Sequence, residues 1–205
     1  MPRHAQLSTE FDATRERILH EATRIVGRVG LNGLSMRALG EGVGLTPGAL
    51  YRYFPSKQDL LWSMWQSALA DLRTGFAACA KTEDPLSAIR CMLAAYTSFA
   101  LHDLDRFRAL FLENDQGEMN LLDRDPDALA PYQGLRAAVE QARSCGAVRP
   151  GDVDRLTQIL WAAAHGALTL VVTVPEIDFG DHKAFVSDTI DTVLKGLGPA
   201  EDRHD

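Results

Sequence analysis

Hydrogen-bond donors are concentrated in one short stretch, GLTPGALYRYF, which runs from Gly44 to Phe54. Its hydroxyl, phenol and guanidinium groups can donate to phosphate oxygens, and an arginine can also pair with a guanine edge. Apolar residues are few here, and Leu50 and Phe54, four apart, are the candidate anchors to a core. Two interpretations follow: a short helix whose outer face meets a polyanion, or a buried helical hairpin whose tyrosines fill gaps.

The charge of the chain is unevenly distributed. The 205 residues carry a net charge of −7, yet residues 1–58 hold eight Lys/Arg and five Asp/Glu, which gives +3, and residues 59–205 carry −10. Any surface that binds a polyanion is therefore expected in the first quarter of the chain. The overall composition, with 46% hydrophobic and 24% charged residues, is that of an ordinary globular protein.

Two short helices must position the donors. Ser35 is a good N-cap for a helix MRALGEGV that Gly44 closes, and Thr46-Pro47 begins a second helix that we expect to reach Tyr53. Two short helices joined by a tight glycine turn are typical of a helix-turn-helix. The slim start of the second helix would suit the major groove of DNA, which is about 12 Å wide.

Apolar residues recur at helical spacing along the rest of the chain, with no strand-like alternation. We predict an all-α protein of about nine helices. The first presents Ile18, Ala22, Ile25 and Val29 on one face and ends at Gly30. Further helices are expected from a capping box at Ser56 to Asp59, from Asp84-Pro85, over residues 104–112, from Asp125-Pro126 to Ser144, and over residues 152–174 and 182–197. Residues 114–125 are polar and are predicted to form a loop.

The remaining patterns argue against several classes of protein. Cys79, Cys91 and Cys145 are widely spaced without a CxxC pair, so we expect small core residues in a reducing cytoplasm and neither a disulfide framework nor a zinc site. The start of the chain lacks the apolar segment of a signal peptide. The apolar run from Ile159 to Val174 is shorter than the ~20 residues of a membrane span, which favours a buried helix.

Thr14 to Leu61, TRERILHEATRIVGRVGLNGLSMRALGEGVGLTPGALYRYFPSKQDLL, closely resembles the N-terminal domain of TetR-type transcriptional repressors. Its spacing of G-L-x-x-L-S, M-R-x-L, G-L-T-x-G-x-L-Y-x-Y-F and K-x-x-L is specific. Such regulators are all-helical homodimers that bind palindromic operators and release them when a small molecule occupies the C-terminal domain. The resemblance implies a helix-turn-helix DNA-binding domain at residues 1–58 and a ligand-binding and dimerisation domain at residues 59–205. The positions that match the family's DNA contacts are Ser35, Arg37, Thr46, Pro47, Gly48, Tyr51, Arg52, Tyr53 and Lys57.

Two glycines depart from the family pattern. Gly40 and Gly42 fall within the second helix, where alanine and other helix formers are common in the family. Each glycine costs ~1 kcal/mol relative to alanine in a helix. Either the supporting helix is loose, or Gly40 permits close packing on the recognition helix.

WAAAHGALTLVV, Trp161 to Val172, resembles the W-x-x-x-H-G pattern in the C-terminal domain of one TetR subgroup. The resemblance implies that the helices over residues 152–174 and 182–197 form a four-helix dimer interface, with recognition helices about one DNA turn apart, ~34–36 Å. An effector site is expected among the fourth to eighth helices. Its candidate lining residues, each of which could also be ordinary core, are Trp65, Tyr96, Phe99, Phe107, Phe111, Trp161 and His165.

These observations favour one function over two alternatives. The first is a cytoplasmic repressor that binds double-stranded operator DNA as a homodimer and responds to a small molecule. The second is a DNA-binding dimer without an effector, controlled by its abundance or by a protein partner. An enzyme is disfavoured, because GxGxxG, GxxxxGK[ST], HExxH and GxSxG are all missing and the six histidines form no i,i+4 pair. We therefore expect no catalytic residues, cofactor or metal.

Overall fold

A computed structural model describes residues 2–112 and 125–199, and these residues contain nine helices and no strand. The predicted all-α fold is confirmed. The helices are α1 (Pro2–Gly33), α2 (Met36–Val43), α3 (Pro47–Leu50), α4 (Lys57–Cys79), α5 (Pro85–His102), α6 (Leu104–Phe111), α7 (Ala130–Ser144), α8 (Val153–Thr173) and α9 (His182–Gly196).

The described residues divide into two compact units. Unit 1 comprises residues 2–68 and 103–112, and unit 2 comprises residues 69–102 and 125–199. Unit 1 thus contains α1, α2, α3, the first half of α4, and α6. The predicted domain boundary after residue 58 does not coincide with the division into compact units, and the assignment of functions to the two domains stays a prediction.

Unit 1 has a core formed mainly by α1 and the elements that follow it. α1 packs against α2 and α6. Of the predicted α1 face, Ile18 and Ala22 are fully buried and Ile25 packs on the core, but Val29 is 63% exposed and its prediction is wrong. Gly30, with a φ of 76°, breaks the regular helix directly after Val29. The buried core residues are Ile18, Ala22, Val26, Leu34, Leu39, Leu50, Phe54, Leu60 and Met64.

Unit 2 packs α5 against α7, α8 and α9, and α8 also packs against α7 and α9. α8 is the one helix of the described residues that is long and apolar enough to cross a membrane by length and composition. Its buried residues are Val153, Leu156, Thr157, Leu160, Ala164, Ala167, Leu168, Val171 and Val172. This burial agrees with the predicted core helix.

Capping groups fix most of the helix starts. Ser56 accepts a hydrogen bond from the Asp59 amide (3.0 Å), which is the N-cap bond of the predicted capping box. The Asp59 carboxylate accepts from the Ser56 hydroxyl (2.7 Å) and not from the Ser56 amide. Asp84 accepts from the Ser87 amide at 2.9 Å. The prediction that Asp125-Pro126 opens a helix is wrong, because residues 126–129 form turns and α7 begins at Ala130. The Asp125 carboxylate instead closes a turn with the Asp127 amide (3.0 Å) and pairs with Arg73 (2.9 Å). Residues 114–124 of the predicted loop lie outside the described residues.

The cysteine predictions need correction. Cys79 at the end of α4 and Cys91 in α5 form a disulfide, with Cα atoms 5.5 Å apart. The short connection between two adjacent helices brings together two residues whose spacing gave no such signal. Cys79 is buried as expected, whereas Cys91 and Cys145 are exposed and are not core residues.

Candidate DNA interface and effector site

The turn between α2 and α3 is held by side-chain and backbone hydrogen bonds. The Ser35 hydroxyl accepts from the Ala38 amide (3.1 Å), which makes Ser35 the N-cap of α2. Gly44 ends that helix in the left-handed conformation, at a φ of 71°. The Thr46 hydroxyl accepts from the Ala49 amide (3.2 Å) at the start of α3. All three residues act as the sequence predicts.

Gly40 allows the turn to close tightly. A Cβ atom at this position would lie 2.5 Å from the Leu45 carbonyl oxygen, which belongs to the backbone and cannot move aside cheaply. The Leu45 amide donates to the Gly40 carbonyl at 2.9 Å. The added Cβ would also lie 3.6 Å from Leu50 in α3, so of the two interpretations of this glycine, close packing on the recognition helix is confirmed. At Gly42 an added Cβ would meet only the end of the Glu21 side chain.

The recognition segment, residues 46–54, has one buried side and one exposed side. Leu50 and Phe54 are buried, as predicted. The regular helix is shorter than predicted, because it ends at Leu50 and residues 51–53 follow as turns, with the Tyr53 amide bonded to the Leu50 carbonyl (2.9 Å). The predicted DNA contacts that are exposed on this segment are Thr46, Pro47, Gly48, Tyr51 and Arg52.

Two residues of the exposed side are available to an outside partner. Tyr51 is 49% exposed. The Arg52 side chain is exposed and makes no hydrogen bond or ion pair within the part of the chain that the structure describes. A donor-rich surface without internal partners can bind phosphates without first breaking contacts of its own.

The other four predicted DNA contacts have internal partners. Ser35 caps α2, and Arg37 pairs with Glu41 at 3.2 Å. That pair is 86% and 71% exposed, so it contributes little and can be exchanged for a phosphate. The Lys57 ammonium donates to the Leu31 carbonyl (3.1 Å), which leaves two of its three donors for another acceptor.

Sequence reasoning missed three α1 side chains that contact the helix-turn-helix, two at the recognition segment and one at the end of α2. The ring of Phe11 stacks on Tyr53, the fourth residue with an internal partner, with centroids 4.6 Å apart. The Arg15 guanidinium lies 4.8 Å from the centre of the Phe54 ring and donates to the Ser63 hydroxyl (2.7 Å). Arg17 donates to the Val43 carbonyl (3.1 Å). Their spacing along α1 gives no signal of these contacts, which only the packing creates.

In unit 2, three of the predicted effector residues come together. The Tyr96 hydroxyl lies 2.7 Å from Nδ1 of His165, and the Trp161 ring is 5.7 Å from the His165 ring. Tyr132 of α7, which the sequence analysis did not single out, contacts Trp161 edge to face at 6.0 Å. Tyr96 is buried, His165 and Tyr132 are half-buried, and Trp161 is 41% exposed. We call these four residues the unit 2 aromatic cluster.

Burial keeps the polar members of this cluster neutral. It raises the pKa of the Tyr96 phenol far above its ordinary value, although a hydrogen bond with Trp161 opposes the rise, and it lowers the pKa of His165. The Tyr96 hydroxyl and Nδ1 of His165 share a hydrogen bond, and the tautomer of the imidazole decides which of the two donates. The cluster therefore presents uncharged polar groups among aromatic rings.

The other predicted effector residues lie elsewhere. Trp65, Phe107 and Phe111 meet within unit 1, where Phe111 is 6.1 Å from Trp65 and 5.2 Å from Phe107. Phe107 is fully buried, and Phe99 of unit 2 is half-buried. Two clefts are described within the units, of about 210 Å³ beside Glu16 and Arg106 and of about 130 Å³ beside Arg90 and Lys183. None of the predicted lining residues borders either cleft.

Sequence comparison identifies two family matches in this chain. Residues 18–64 match the bacterial regulatory proteins of the tetR family, and residues 89–193 match the tetracyclin repressor-like C-terminal domain. The second match alone covers more than half of the chain. Neither match distinguishes the W-x-x-x-H-G subgroup, which stays a prediction.

Individual transcriptional regulators are similar to this chain in sequence or in fold. The transcriptional regulator AcrR of Shigella flexneri is 32% identical over 87 residues, which are 41% of this chain and 40% of AcrR, so the match spans well under two thirds of that relative. The structure of the TetR family regulator PfmR from Thermus thermophilus has a TM-score of 0.74 at 22% identity, covering 88% of this chain and 98% of PfmR. FadR from Bacillus subtilis, solved with stearoyl-CoA, has a TM-score of 0.74 at 16% identity and covers 89% of this chain and 98% of FadR. Both structures are similar to this chain in fold.

Proposed function

Because the chain belongs to the TetR family of DNA-binding transcriptional regulators, we propose that it is a repressor that binds a palindromic operator as a homodimer and releases it when a small molecule binds unit 2. The family regulates transcription and is not enzymatic, which removes the enzyme hypothesis. Its site of action is then the cytoplasm, where the DNA lies.

The division of the recognition segment into two sides is the observation that carries this proposal. Leu50 and Phe54 are 0% and 1% exposed and attach the segment to the core of unit 1. Tyr51 and Arg52 face solvent on the same short segment. A buried helical hairpin would have enclosed the phenol and the guanidinium, so this arrangement favours entry into the major groove of DNA.

Dimerisation is supported by the outer side of α8. Ala162, Gly166 and Leu170 are spaced four apart and are all exposed, and Leu170 is 45% exposed. A Cβ added at Gly166 would meet nothing in the chain. An apolar stripe along one side of a helix whose other side is buried in the core, with alanine and glycine at two of its positions, fits a second helix at close range. In our proposal this stripe and α9 pair with the same elements of a second copy.

A charged substitution in this stripe tests the dimer. Leu170→Glu should convert the protein to a monomer in sedimentation equilibrium, since two carboxylates would face each other across an apolar contact. Ala137→Glu, an exposed position on α7, is the matched control and should leave the dimer intact. A Leu170→Glu protein that sediments like the wild type would show that α8 does not form the interface.

The unit 2 aromatic cluster supports binding of a small molecule. Sites for such ligands are mostly apolar with a few polar groups. The cluster combines the rings of Tyr132 and Trp161 with the hydrogen-bonded phenol of Tyr96 and imidazole of His165. FadR, which has a similar fold, was solved with stearoyl-CoA. We propose that an effector of this chain contacts Trp161 and His165, and that its binding lowers affinity for the operator.

DNA binding is tested with fragments of the region upstream of the gene for this protein. The wild type should bind a palindrome in that region, and the affinity should fall steeply with salt because several phosphates are neutralised. Arg52→Ala should weaken binding or change the preferred sequence. Arg149→Ala, which removes an exposed arginine of unit 2, is the control and should bind as the wild type does. No salt-dependent binding to any fragment would refute the proposal.

A further inference from the structure

The N-terminal part of α1 contacts the recognition segment although it lies before the region that matches the family. The family match begins at residue 18. Phe11, Arg15 and Arg17, which we call the α1 brace, nevertheless contact Tyr53, Phe54 and the Val43 carbonyl, respectively. Two of these contacts hold the recognition segment and the third holds the end of α2, all from outside the matched region.

Phe11 is not needed to fill the core of unit 1. Its side chain is 40% exposed, and it is absent from the buried cluster that holds α1, α2 and the recognition segment together. Its ring lies nearly parallel to that of Tyr53, at an angle of 24° and with centroids 4.6 Å apart. An offset stack of this kind is favourable beyond the area that it buries. The contact therefore acts mainly on the orientation of Tyr53.

Tyr53 lies outside the regular helix of the recognition segment. Regular helix ends at Leu50, and Tyr53 occupies the last of three turn residues. Its side chain has two rotatable bonds before the ring, and the half-buried ring packs partly against the core and partly against Phe11. The stack restricts the ring and with it the direction of the phenol oxygen, a group that can donate to a phosphate.

We propose that Phe11 is a positioning residue for DNA binding, which orders the Tyr53 phenol for a contact with the phosphate backbone. This inference rests on the proposed function, because it assigns a role within the same DNA interface. Ordering one side chain on binding costs about 0.5–1.5 kcal/mol, and the stack removes that cost before DNA arrives. Loss of the stack should then weaken operator binding about two- to twelvefold.

A double-mutant cycle separates positioning from a general structural role. Operator affinity is measured by fluorescence anisotropy for the full-length wild type, Phe11→Ala, Tyr53→Phe and the double variant. Tyr53→Phe retains the ring and removes only the hydroxyl. We expect Phe11→Ala to weaken binding two- to twelvefold in the wild type and to have no further effect in the Tyr53→Phe protein, which has no phenol to position. Phe11→Tyr, which keeps an aromatic ring, should restore wild-type affinity.

The possible results are distinguishable. Equal effects of Phe11→Ala in the wild-type and Tyr53→Phe backgrounds would overturn the inference, since Phe11 would then act without the phenol. Wild-type affinity in Phe11→Ala would also overturn it, while leaving the proposed function intact if Arg52→Ala still alters binding. A wild-type protein that binds no operator would refute both. Phe11→Ala should change the melting temperature, measured by circular dichroism, equally in the wild-type and Tyr53→Phe backgrounds, because the ring that Phe11 stacks on is present in both.

Discussion

The variant Gly48→Ala, which adds one methyl group, distinguishes what the fold requires from what DNA binding requires. Gly48 is exposed at the start of α3, and a Cβ atom added there would meet nothing within 4 Å. The fold therefore has no steric need for glycine at this position. In the proposed complex, however, the start of α3 enters the major groove, where an added methyl group would meet the bases or the backbone.

The two consequences of Gly48→Ala have opposite signs. Alanine favours the helix and restricts the unfolded chain, so the free energy of unfolding should rise by about 0.4–1 kcal/mol. For a protein of this size the melting temperature should rise by about 1–4 °C. Overfilling a well-packed contact costs about 1–3 kcal/mol, so operator affinity should fall about 5- to 150-fold.

Gly40→Ala is the matched comparison within the same helix-turn-helix. Its added Cβ would lie 2.5 Å from the Leu45 carbonyl oxygen, so the turn must shift. We expect a lower melting temperature, because the packing cost of about 1–3 kcal/mol exceeds the helix propensity gained. Circular dichroism melts and anisotropy titrations of both variants provide the test. Wild-type affinity in Gly48→Ala would refute close approach of α3 to DNA, and a loss of stability in that variant would refute the described surroundings of Gly48.

Further measurements test other parts of the structure. Lys57→Gln should weaken binding to all DNA sequences alike and reduce the salt slope by about 1, as expected for one phosphate contact; an unchanged slope would remove Lys57 from the interface. Replacing Cys79 and Cys91 by serine should lower the free energy of unfolding by about 3 kcal/mol, since the disulfide closes a short loop of the unfolded chain; urea melts equal to those of the wild type would contradict this. Burial lowers the pKa of His165, so the unfolded chain binds the proton more readily, and stability should be constant above about pH 7 and fall as the pH drops below about 6.5. His165→Gln should flatten that fall in thermal melts, and an identical pH profile would assign it to other groups. Tyr96→Phe removes the 2.7 Å bond to His165 and should cost about 0.5–1.5 kcal/mol in chemical denaturation, whereas unchanged stability would mean that water replaces the phenol.

The sequence by itself determined the features that depend on neighbouring residues. The caps at Ser35, Thr46 and Ser56 each use a hydrogen bond to an amide three residues ahead, so residue type and spacing were sufficient to predict them. The anchors Leu50 and Phe54 were likewise given by their helical spacing, because only one side of so short a segment can be buried. The family match then agreed with the motif that these local signals define.

Tertiary structure decided the contacts between residues far apart in the chain. Helical periodicity assigned Val29 to the core, but the break at Gly30 follows directly and Val29 is exposed. Cys79 and Cys91 pair only because the end of α4 lies beside α5, and Tyr96 and His165 pair across 69 residues. Local patterns state which residues can cap or bury themselves, whereas the choice of partner depends on how the helices pack. The stack of Phe11 on Tyr53 belongs to this second class, since it forms only when α1 lies along the recognition segment.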